Sequence, residues 1–270
     1  MPEIPDLEAI AGFLNKNLKG LTLTETDLSV PWLVRSADNL DGLIGREFTS
    51  VRRYGKFMIF EWDGDDALVV NSMLTGRWTW AEPSLRRTKA TCIALRFSND
   101  HELRYADQRR MGRWYVAPKD ELDQVPGFAD LGPDALAVDE ETFVAQLARR
   151  RGQIKSSLTN QKFLAGIGNA YADEILWEAQ FHPHRRAATF DDDDRRRLYH
   201  AVIATFEWAT PLLEEHVREG LVQGKAEWRD HLRVHRKEGE SCPRCGSAVR
   251  GQTKGGSETN YCLSCQPLFN

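Results

Sequence analysis

Two kinds of hydrophobic periodicity divide the chain. Apolar residues at helical spacing, starting with Leu7, predict a helix over residues 5–17 that Asp6 can cap. From about residue 20 to residue 116 the apolar positions instead form short runs separated by Gly, Asp and Asn. The clearest runs are residues 57–60, 67–70, 92–97 and 114–116. Spaced strands with turn residues between them predict an antiparallel sandwich or barrel.

Helical spacing returns after residues 117–133, where several Pro and Gly residues predict a linker. The predicted helices are one starting near Asp139, then residues 155–163, 170–180 and 191–218. The four acids at 191–194 fall in the first turn of the last helix, where the helix dipole favours them, so they are interpreted as solvated helix surface. The pattern predicts an α+β multidomain protein. Its predicted parts are an N-terminal domain at 1–116, the linker, a helical domain at 134–225 and a C-terminal domain at 226–270.

Composition limits the class of protein. The 270 residues are 41% hydrophobic and 28% charged, which is typical of a soluble protein with buried cores. No apolar run is long enough to span a membrane, and the acidic start does not resemble a signal peptide, so a cytoplasmic location is expected. The net charge of −4 argues mildly against nucleic-acid binding. Arginine and lysine are nevertheless clustered locally, and a basic face can bind phosphate on an acidic chain.

Four of the five cysteines form two Cys-x2-Cys pairs: Cys242 with Cys245, and Cys262 with Cys265. Four thiolates at this spacing match the ligand set of tetrahedral zinc, and a disulfide or redox pair is the alternative. Four sulfur ligands leave no open coordination position. The pattern therefore predicts one structural Zn²⁺.

Two short segments suggest chemistry without deciding it. Residues 165–169, Ala-Gly-Ile-Gly-Asn, join two predicted helices, and such a turn suits either a bound phosphate or a tight helix crossing. Nearby Lys155 and the pair at 185–186 favour phosphate. At the N-terminus, removal of Met1 would leave Pro2 with a free amine beside Glu3. A neutral amine can form an imine with a carbonyl, although many chains begin Met-Pro and an acid in the first helical turn is ordinary.

A series of motifs runs in one order along the chain. They are residues 1–8, 55–56, 104–112, 154–155, 165–174, 182–183 and the four-cysteine element. On these motifs the chain resembles the bacterial formamidopyrimidine-DNA glycosylase/endonuclease VIII (Fpg/Nei) family of base-excision repair enzymes. The resemblance implies an N-terminal helix with an antiparallel β-sandwich, a helical domain with a helix–two-turn–helix, and a C-terminal zinc-bound β-hairpin.

The resemblance also implies a bifunctional DNA glycosylase and AP lyase that acts on damaged double-stranded DNA as a monomer near the bacterial nucleoid. A damaged base is flipped out of the duplex, and Pro2 attacks the sugar carbon and forms a Schiff base. Glu3 handles protons, and Lys56 assists near the base and phosphate. The implied DNA-binding residues are Leu74, Arg109, Met111, Arg150, Lys155 and Asn169. Leu74 and Met111 match the loops that fill the hole left by the flipped base.

The sequence departs from the family pattern in two places. Ser257 stands where the family usually has an arginine that grips phosphates and is linked to the second elimination step. Weaker phosphate binding is therefore expected, or compensation by Lys254 or Arg250, together with a poor second elimination. The stretch Gly220 to Glu240 is short where members specialised for 8-oxoguanine have a long capping loop. Formamidopyrimidines, oxidised pyrimidines, hydantoins or abasic sites are therefore expected ahead of 8-oxoguanine.

Two other functions remain open from sequence. The first is a DNA-binding family member that recognises damaged or abasic DNA without efficient base excision, which Ser257 and the acidic charge favour and the retained Pro2, Glu3 and Lys56 oppose. The second is a zinc-ribbon interaction module attached to a sandwich, which explains the cysteines but not the N-terminus.

Overall fold

Strands in the region 23–118 form two antiparallel sheets. The computed structural model describes residues 1–36, 39–221, 229–254 and 256–268. The strands of this region are β1 (Leu23–Leu28), β2 (Phe48–Tyr54), β3 (Phe57–Trp62), β4 (Asp66–Asn71), β5 (Gly76–Ala81), β6 (Thr91–Phe97), β7 (Glu102–Asp107) and β8 (Arg113–Pro118). Their orders are β1-β6-β7-β5 in one sheet and β2-β3-β4-β8 in the other. The predicted antiparallel architecture is confirmed.

Aromatic side chains from both sheets meet in one core. The Trp62 ring of β3 stacks on Phe97 of β6 at 6.1 Å between centroids. Trp78 of β5 lies 5.4 Å from Phe60 of β3 and 5.4 Å from Trp114 of β8. Each such side chain buries roughly 150–250 Å². This cluster therefore supplies much of the apolar area that holds the two sheets together.

Helix α1 (Ile4–Leu18) packs its apolar face, which includes Leu7, into this core. The helix begins one residue earlier than predicted, and its N-cap is Glu3, not Asp6. Asp6 still caps the helix, but from the third helical position, because its side chain accepts the Glu3 backbone N–H.

The second half of the chain is helical, as predicted. Its helices are α2 (Glu140–Ala148), α3 (Ile154–Leu158), α4 (Asn169–Glu178) and α5 (Asp192–Val217). Helix α3 is shorter than the predicted 155–163. It ends because the Thr159 hydroxyl donates back to the Lys155 carbonyl and the Asn160 side chain accepts the Lys162 N–H, which stabilises a turn.

Part of the predicted linker is packed structure. Phe128 places its ring 5.5 Å from both Tyr54 and Phe57.

The chain divides into two compact units, residues 1–129 with 210–228, and residues 130–209 with 229–270. The domain limits predicted from sequence stay a prediction, and the limit at residue 225 lies outside the described residues.

A two-stranded antiparallel hairpin follows in the second unit, formed by β9 (Arg250–Lys254) and β10 (Ser257–Tyr261). The spacing between the two cysteine pairs predicts an exposed turn at residues 250–257. They are strand at both ends, because backbone pairing extends from Tyr261 opposite Arg250 to Ser257 opposite Lys254. None of the described helices is long and apolar enough to cross a membrane.

Candidate active site and nucleic-acid interface

The first residues of the chain are held by a reciprocal cap. The Glu3 backbone N–H donates to Asp6 Oδ2 at 2.8 Å, and the Glu3 side chain accepts the Asp6 backbone N–H. Two of the donors that a helix start leaves without intrahelical partners are thereby satisfied. Glu3 is only 3% exposed, while Pro2 beside it is half-buried. The predicted nucleophile therefore sits next to a fixed carboxyl group at the start of a helix.

Lys56 lies in the tight turn between β2 and β3. Tyr54 pairs with Phe57, so Gly55 and Lys56 are the two loop residues. Gly55 has a φ of 57°, the left-handed conformation that the first loop residue of a hairpin turn of this length requires. The Lys56 side chain is half-buried.

Arg53 ties this turn to α1. Its Nε and Nη2 atoms each lie 2.8 Å from Glu8 Oε1, and its Nη1 donates to the Gly55 carbonyl at 3.2 Å. The Arg53 side chain is almost fully buried, so this ion pair is screened little by solvent. The sequence did not predict the Arg53–Glu8 pair, because residues 45 positions apart leave no local pattern.

The two loops expected to enter the DNA stack both belong to the first unit. Leu74 is 38% exposed, so it is not a core residue. Met111 is half-buried, and Arg109 and Arg110 are exposed. Met73 and Arg110 have φ values of 48° and 52°. Non-glycine residues seldom adopt this conformation, so the surrounding contacts must hold both loops.

The buried carboxylate of Asp107 makes those contacts. It accepts the Thr75 hydroxyl and the backbone N–H groups of Arg109 (3.1 Å), Met111 (2.7 Å) and Gly112 (2.8 Å). Burial alone would raise the pKa of Asp107, but the Thr75 hydroxyl and these N–H donors lower the pKa below its ordinary value. The carboxylate thus stays charged and joins the loop that contains Leu74 to the loop that contains Met111.

The Tyr105 hydroxyl closes the space beneath both loops. It donates to the Ser72 carbonyl at 3.2 Å. A Cβ atom at Gly76 would lie 2.3 Å from this hydroxyl oxygen, and one at Gly112 would lie 2.2 Å from it. Any larger residue at either position would therefore displace the Tyr105 ring or the loop.

In the second unit, Lys155 is 8% exposed and has three protein oxygens as partners. Its Nζ lies 2.6 Å from Asp173 Oδ1, and it donates to the Glu258 carbonyl at 2.7 Å and to Thr259 Oγ1 at 3.0 Å. An ammonium group has three N–H donors. The lysine therefore anchors β10 to α3 and α4, and its direct contact with phosphate stays a prediction.

Asn169 and Ser257 are brought together at the start of α4. Asn169 Nδ2 donates to the Glu258 carbonyl at 2.8 Å, and the Ser257 hydroxyl donates to Asn169 Oδ1 at 2.9 Å. Ser257, which stands at the family's usual arginine position, thus bonds the Asn169 side-chain amide with its hydroxyl. Ser257 itself is exposed. The Glu258 carboxylate lies close to Arg236, with Nε to Oε2 at 3.8 Å.

Gln161 shapes the glycine–asparagine turn. Its Oε1 accepts the Gly166 N–H at 3.0 Å, and its Nε2 donates to the Ile167 carbonyl at 2.7 Å. Gly166 has a φ of 107°, which only glycine adopts readily. The Gly166 N–H is thus already satisfied by a side chain, and both interpretations of the turn remain predictions.

Arginines of the second unit are also engaged by aromatic rings. The Arg150 guanidinium lies 5.4 Å from the Phe163 ring, with part of the side chain exposed. Arg185 pairs with Asp194 and lies over the Phe190 ring at 4.4 Å. In the sequence, Arg185 supports a phosphate site at the glycine–asparagine turn. In this fold it has a structural role.

The four paired cysteines converge as predicted. All four sulfur atoms lie within 4.8 Å of one another, with 3.9 Å between Cys242 and Cys265 and 3.4 Å between Cys245 and Cys262. The Trp177 indole N–H donates to Cys242 Sγ at 3.3 Å. These residues could hold one metal ion, and the spacing in the sequence located all of them.

Known proteins resemble the chain over nearly its full length. Residues 1–114 match the formamidopyrimidine-DNA glycosylase N-terminal domain, and residues 131–218 match the formamidopyrimidine-DNA glycosylase H2TH domain. The formamidopyrimidine-DNA glycosylase of Desulforamulus reducens is 34% identical over 98% of this chain and 99% of its own length. The chain belongs to the formamidopyrimidine-DNA glycosylase family. It is a base-excision DNA glycosylase.

Solved structures of the family agree with this fold. The Lactococcus lactis Fpg in complex with an abasic site containing DNA has a TM-score of 0.87 at 28% identity, covering 98% of this chain and 100% of that one. The same protein with a Fapy-dG containing DNA has a TM-score of 0.86 at 27% identity, with 98% and 100% coverage. Similarity thus extends over both compact units of this glycosylase.

The Asp107 contacts lead to a prediction about the two loops. In Asp107→Asn a neutral amide replaces the carboxylate. Its NH2 group would face backbone N–H groups and could not accept their hydrogen bonds. We expect a loss of about 1–3 kcal/mol in the free energy of unfolding, the usual cost of unsatisfied buried donors. Urea unfolding followed by tryptophan fluorescence measures it. Asp120→Asn, the same change at an exposed position, is the control. Equal stability of the two variants would contradict the assignment.

Proposed function

We propose that this glycosylase removes oxidised or ring-opened bases from double-stranded DNA through a Schiff base on Pro2, and then cleaves the strand as an AP lyase. The observation that carries the proposal is the arrangement of Pro2 and Glu3 at the capped start of α1. The relatives with abasic and Fapy-dG DNA support the substrate class.

The chemistry begins after removal of Met1, when the Pro2 nitrogen has a lone pair. An α-amino group has a reference pKa of about 7.7–8.0, so a useful fraction is neutral near pH 7. The nitrogen attacks C1′ of the flipped nucleotide, the C1′–N bond breaks with its electrons leaving on the base, and the base takes up a proton as the attached amine gives one up. Glu3 gives a proton to the sugar ring oxygen, the ring opens, and an iminium forms between C1′ and Pro2.

Strand cleavage follows from the iminium. It acidifies the C2′ hydrogen, and when that proton is removed the C3′–O3′ bond breaks with its electrons leaving on the phosphate. Water then hydrolyses the imine and releases Pro2. Lys56, on the turn fixed by Arg53, assists proton transfer near the base and phosphate.

DNA binding is proposed for residues of both units. Exposed Leu74 and half-buried Met111 act as apolar wedges in the base stack, and Arg109 and Arg150 grip phosphates. Lys155 and Asn169 take part through the β10 backbone that they anchor. Action as a monomer, in the cytoplasm and near the bacterial nucleoid, belongs to the same proposal.

Borohydride trapping tests the nucleophile. The wild type is expected to form a covalent complex with abasic DNA, and Pro2→Gly is expected to lose most of it because the primary amine of glycine is a weaker nucleophile than the secondary amine of proline. One extra residue before Pro2 should also abolish trapping, because it converts the amine into an amide. Pro83→Gly, the same change at an exposed proline, should trap like the wild type.

Duplexes that each contain one lesion complete the experiment. We expect trapping with formamidopyrimidine and oxidised-pyrimidine DNA to exceed trapping with 8-oxoguanine DNA. Residues 222–228 of the short stretch that motivates this order lie outside the described residues. Trapping by Pro2→Gly as fast and as complete as that of the wild type would refute the mechanism. Trapping of abasic DNA without trapping of any lesion DNA would favour the family member that does not excise bases.

The phosphate grip is expected to be weak at Ser257. A hydroxyl that already bonds Asn169 cannot replace a bidentate cationic donor. We therefore propose that the enzyme completes the first elimination and performs the second one poorly.

Ser257→Arg should restore the missing donor. Because Ser257 is exposed, an arginine fits there, and we expect more product with phosphate at both ends of a one-nucleotide gap. The slope of log affinity against log salt should steepen by about 0.9 for one added phosphate contact. Gel analysis of cleaved abasic DNA and salt titrations measure both effects, with Ser257→Ala as the control. A wild type that already produces the clean gap would refute the proposal.

The metal of the cysteine cluster is proposed to be one structural Zn²⁺. Four thiolates at a Zn–S distance of 2.3 Å in tetrahedral geometry place sulfur atoms about 3.8 Å apart. The two measured separations, 3.4 and 3.9 Å, lie on either side of this value. When bound, the ion supplies folding energy to the hairpin and no chemistry.

Metal analysis and fluorescence test the zinc site. We expect one zinc per chain, and removal by a chelator should change the tryptophan emission because Trp177 donates to Cys242. Trp177→Phe should remove most of that change. Cys262→Ser should lose zinc, whereas Cys92→Ala, a buried cysteine outside the cluster, should retain it. Full zinc content in Cys262→Ser would exclude the assigned ligand set.

A further inference from the structure

Trp32 is the most exposed large hydrophobic side chain in the described part of the chain, at 56%. Its neighbour Leu33 is fully buried and anchors the segment in the core. An indole with more than half its surface in water contributes little to folding. Single exposed hydrophobic residues are common, so exposure alone identifies nothing.

The backbone around Trp32 is fixed on both sides. Trp32 lies in a 3-10 turn, Pro31–Leu33. Before the turn, the Val30 N–H donates to the Cys92 carbonyl at 3.1 Å, and after it the Arg35 N–H donates to the Trp114 carbonyl at 2.9 Å. The indole is therefore presented to solvent from a rigid support and not from a flexible arm.

The same turn adjoins the loop that is proposed to enter the DNA stack. The Arg110 guanidinium lies over the Trp32 ring, 5.7 Å from its centroid. Arg110 holds its left-handed conformation while its N–H donates to the Asp107 carbonyl at 3.2 Å. Trp32 and the Met111 loop consequently form one surface with fixed geometry.

The described residues of that surface include exposed basic side chains. Arg35, Arg109 and Arg110 are exposed, whereas the carboxylate of the loop, Asp107, is buried beneath it. A flat aromatic face beside exposed guanidinium groups suits a ligand that combines a planar ring with negative charge. A nucleotide of a DNA strand has both properties, and base–aromatic stacking tolerates any base.

We propose that Trp32 is a further DNA-binding residue, which stacks on a nucleotide of the bound DNA next to the wedge while Arg110 pairs with a phosphate of that nucleotide. The inference rests on the proposed function, because it assumes that DNA binds against the loops that contain Leu74 and Met111. It adds to the family pattern a contact that comes from the turn between β1 and β2.

Binding to a duplex with a tetrahydrofuran abasic analogue, which cannot react, tests the proposal by fluorescence anisotropy. Trp32→Ala should weaken binding by about 5- to 150-fold, the range that stacking on one base contributes. Trp32→Phe should retain most of the affinity. Trp32→Ala should leave the salt slope unchanged, whereas Arg110→Ala should reduce it by about 0.9.

Ile44→Ala, at another exposed hydrophobic position of the same unit, is the matched control and should bind like the wild type. Tryptophan emission of the wild type should be quenched by DNA more than that of Trp32→Phe. If Trp32→Ala binds like Ile44→Ala and quenching does not depend on Trp32, the inference is wrong.

Trapping of natural abasic DNA by the wild type, measured in parallel, separates this inference from the proposed function. Normal trapping with no effect of Trp32 overturns only the inference. DNA binding that depends on Trp32 without trapping supports the inference and overturns the lyase. A wild type that binds no DNA overturns both.

Discussion

The carboxylate of Asp107 is buried away from water and surrounded by donors from two loops. Removing a charge from water costs several kcal/mol, and only a nearly complete set of hydrogen bonds offsets this cost. The Thr75 hydroxyl and the N–H groups that follow β7 must therefore all point at one site. The backbone after β7 has little freedom left, so Arg110 retains its left-handed conformation. On the other loop, the Met73 N–H donates to Asn71 Oδ1 at 3.0 Å.

Buried acids perform the same task in the second unit. The Glu174 carboxylate accepts the N–H groups of Arg233, Val234 and His235 at 2.9 to 3.0 Å, although burial raises the pKa of this group. Asp173 holds Lys155 and accepts the Asn260 N–H at 3.0 Å. Loops and a hairpin without a large apolar core of their own are positioned by charge-assisted hydrogen bonds from α4.

Short-range patterns in the sequence could predict helices and strands but not the side-chain contacts that hold them in place. The period of the apolar residues predicted α1 and located strands β3, β4, β6 and β8, and spacing alone found the four cysteines. The end of α3 depended on side-chain bonds of Thr159 and Asn160 that compete with the helix. The bonds of Arg53 to Glu8 and of Asp107 to Thr75 join distant parts of the chain, so no local pattern predicts them.

The two glycines beside the Tyr105 hydroxyl separate the fixed from the variable parts of the wedge. Gly76 and Gly112 have no room for a side chain, whereas Leu74 and Met111 project from the loops between such anchors. Substitutions at the projecting positions can alter the shape and stiffness of the wedge while the backbone stays in place. Under the proposed function, changes at Leu74 and Met111 would alter how the wedge fills the DNA stack without disturbing the sandwich, and Met111 supplies a flexible side chain there.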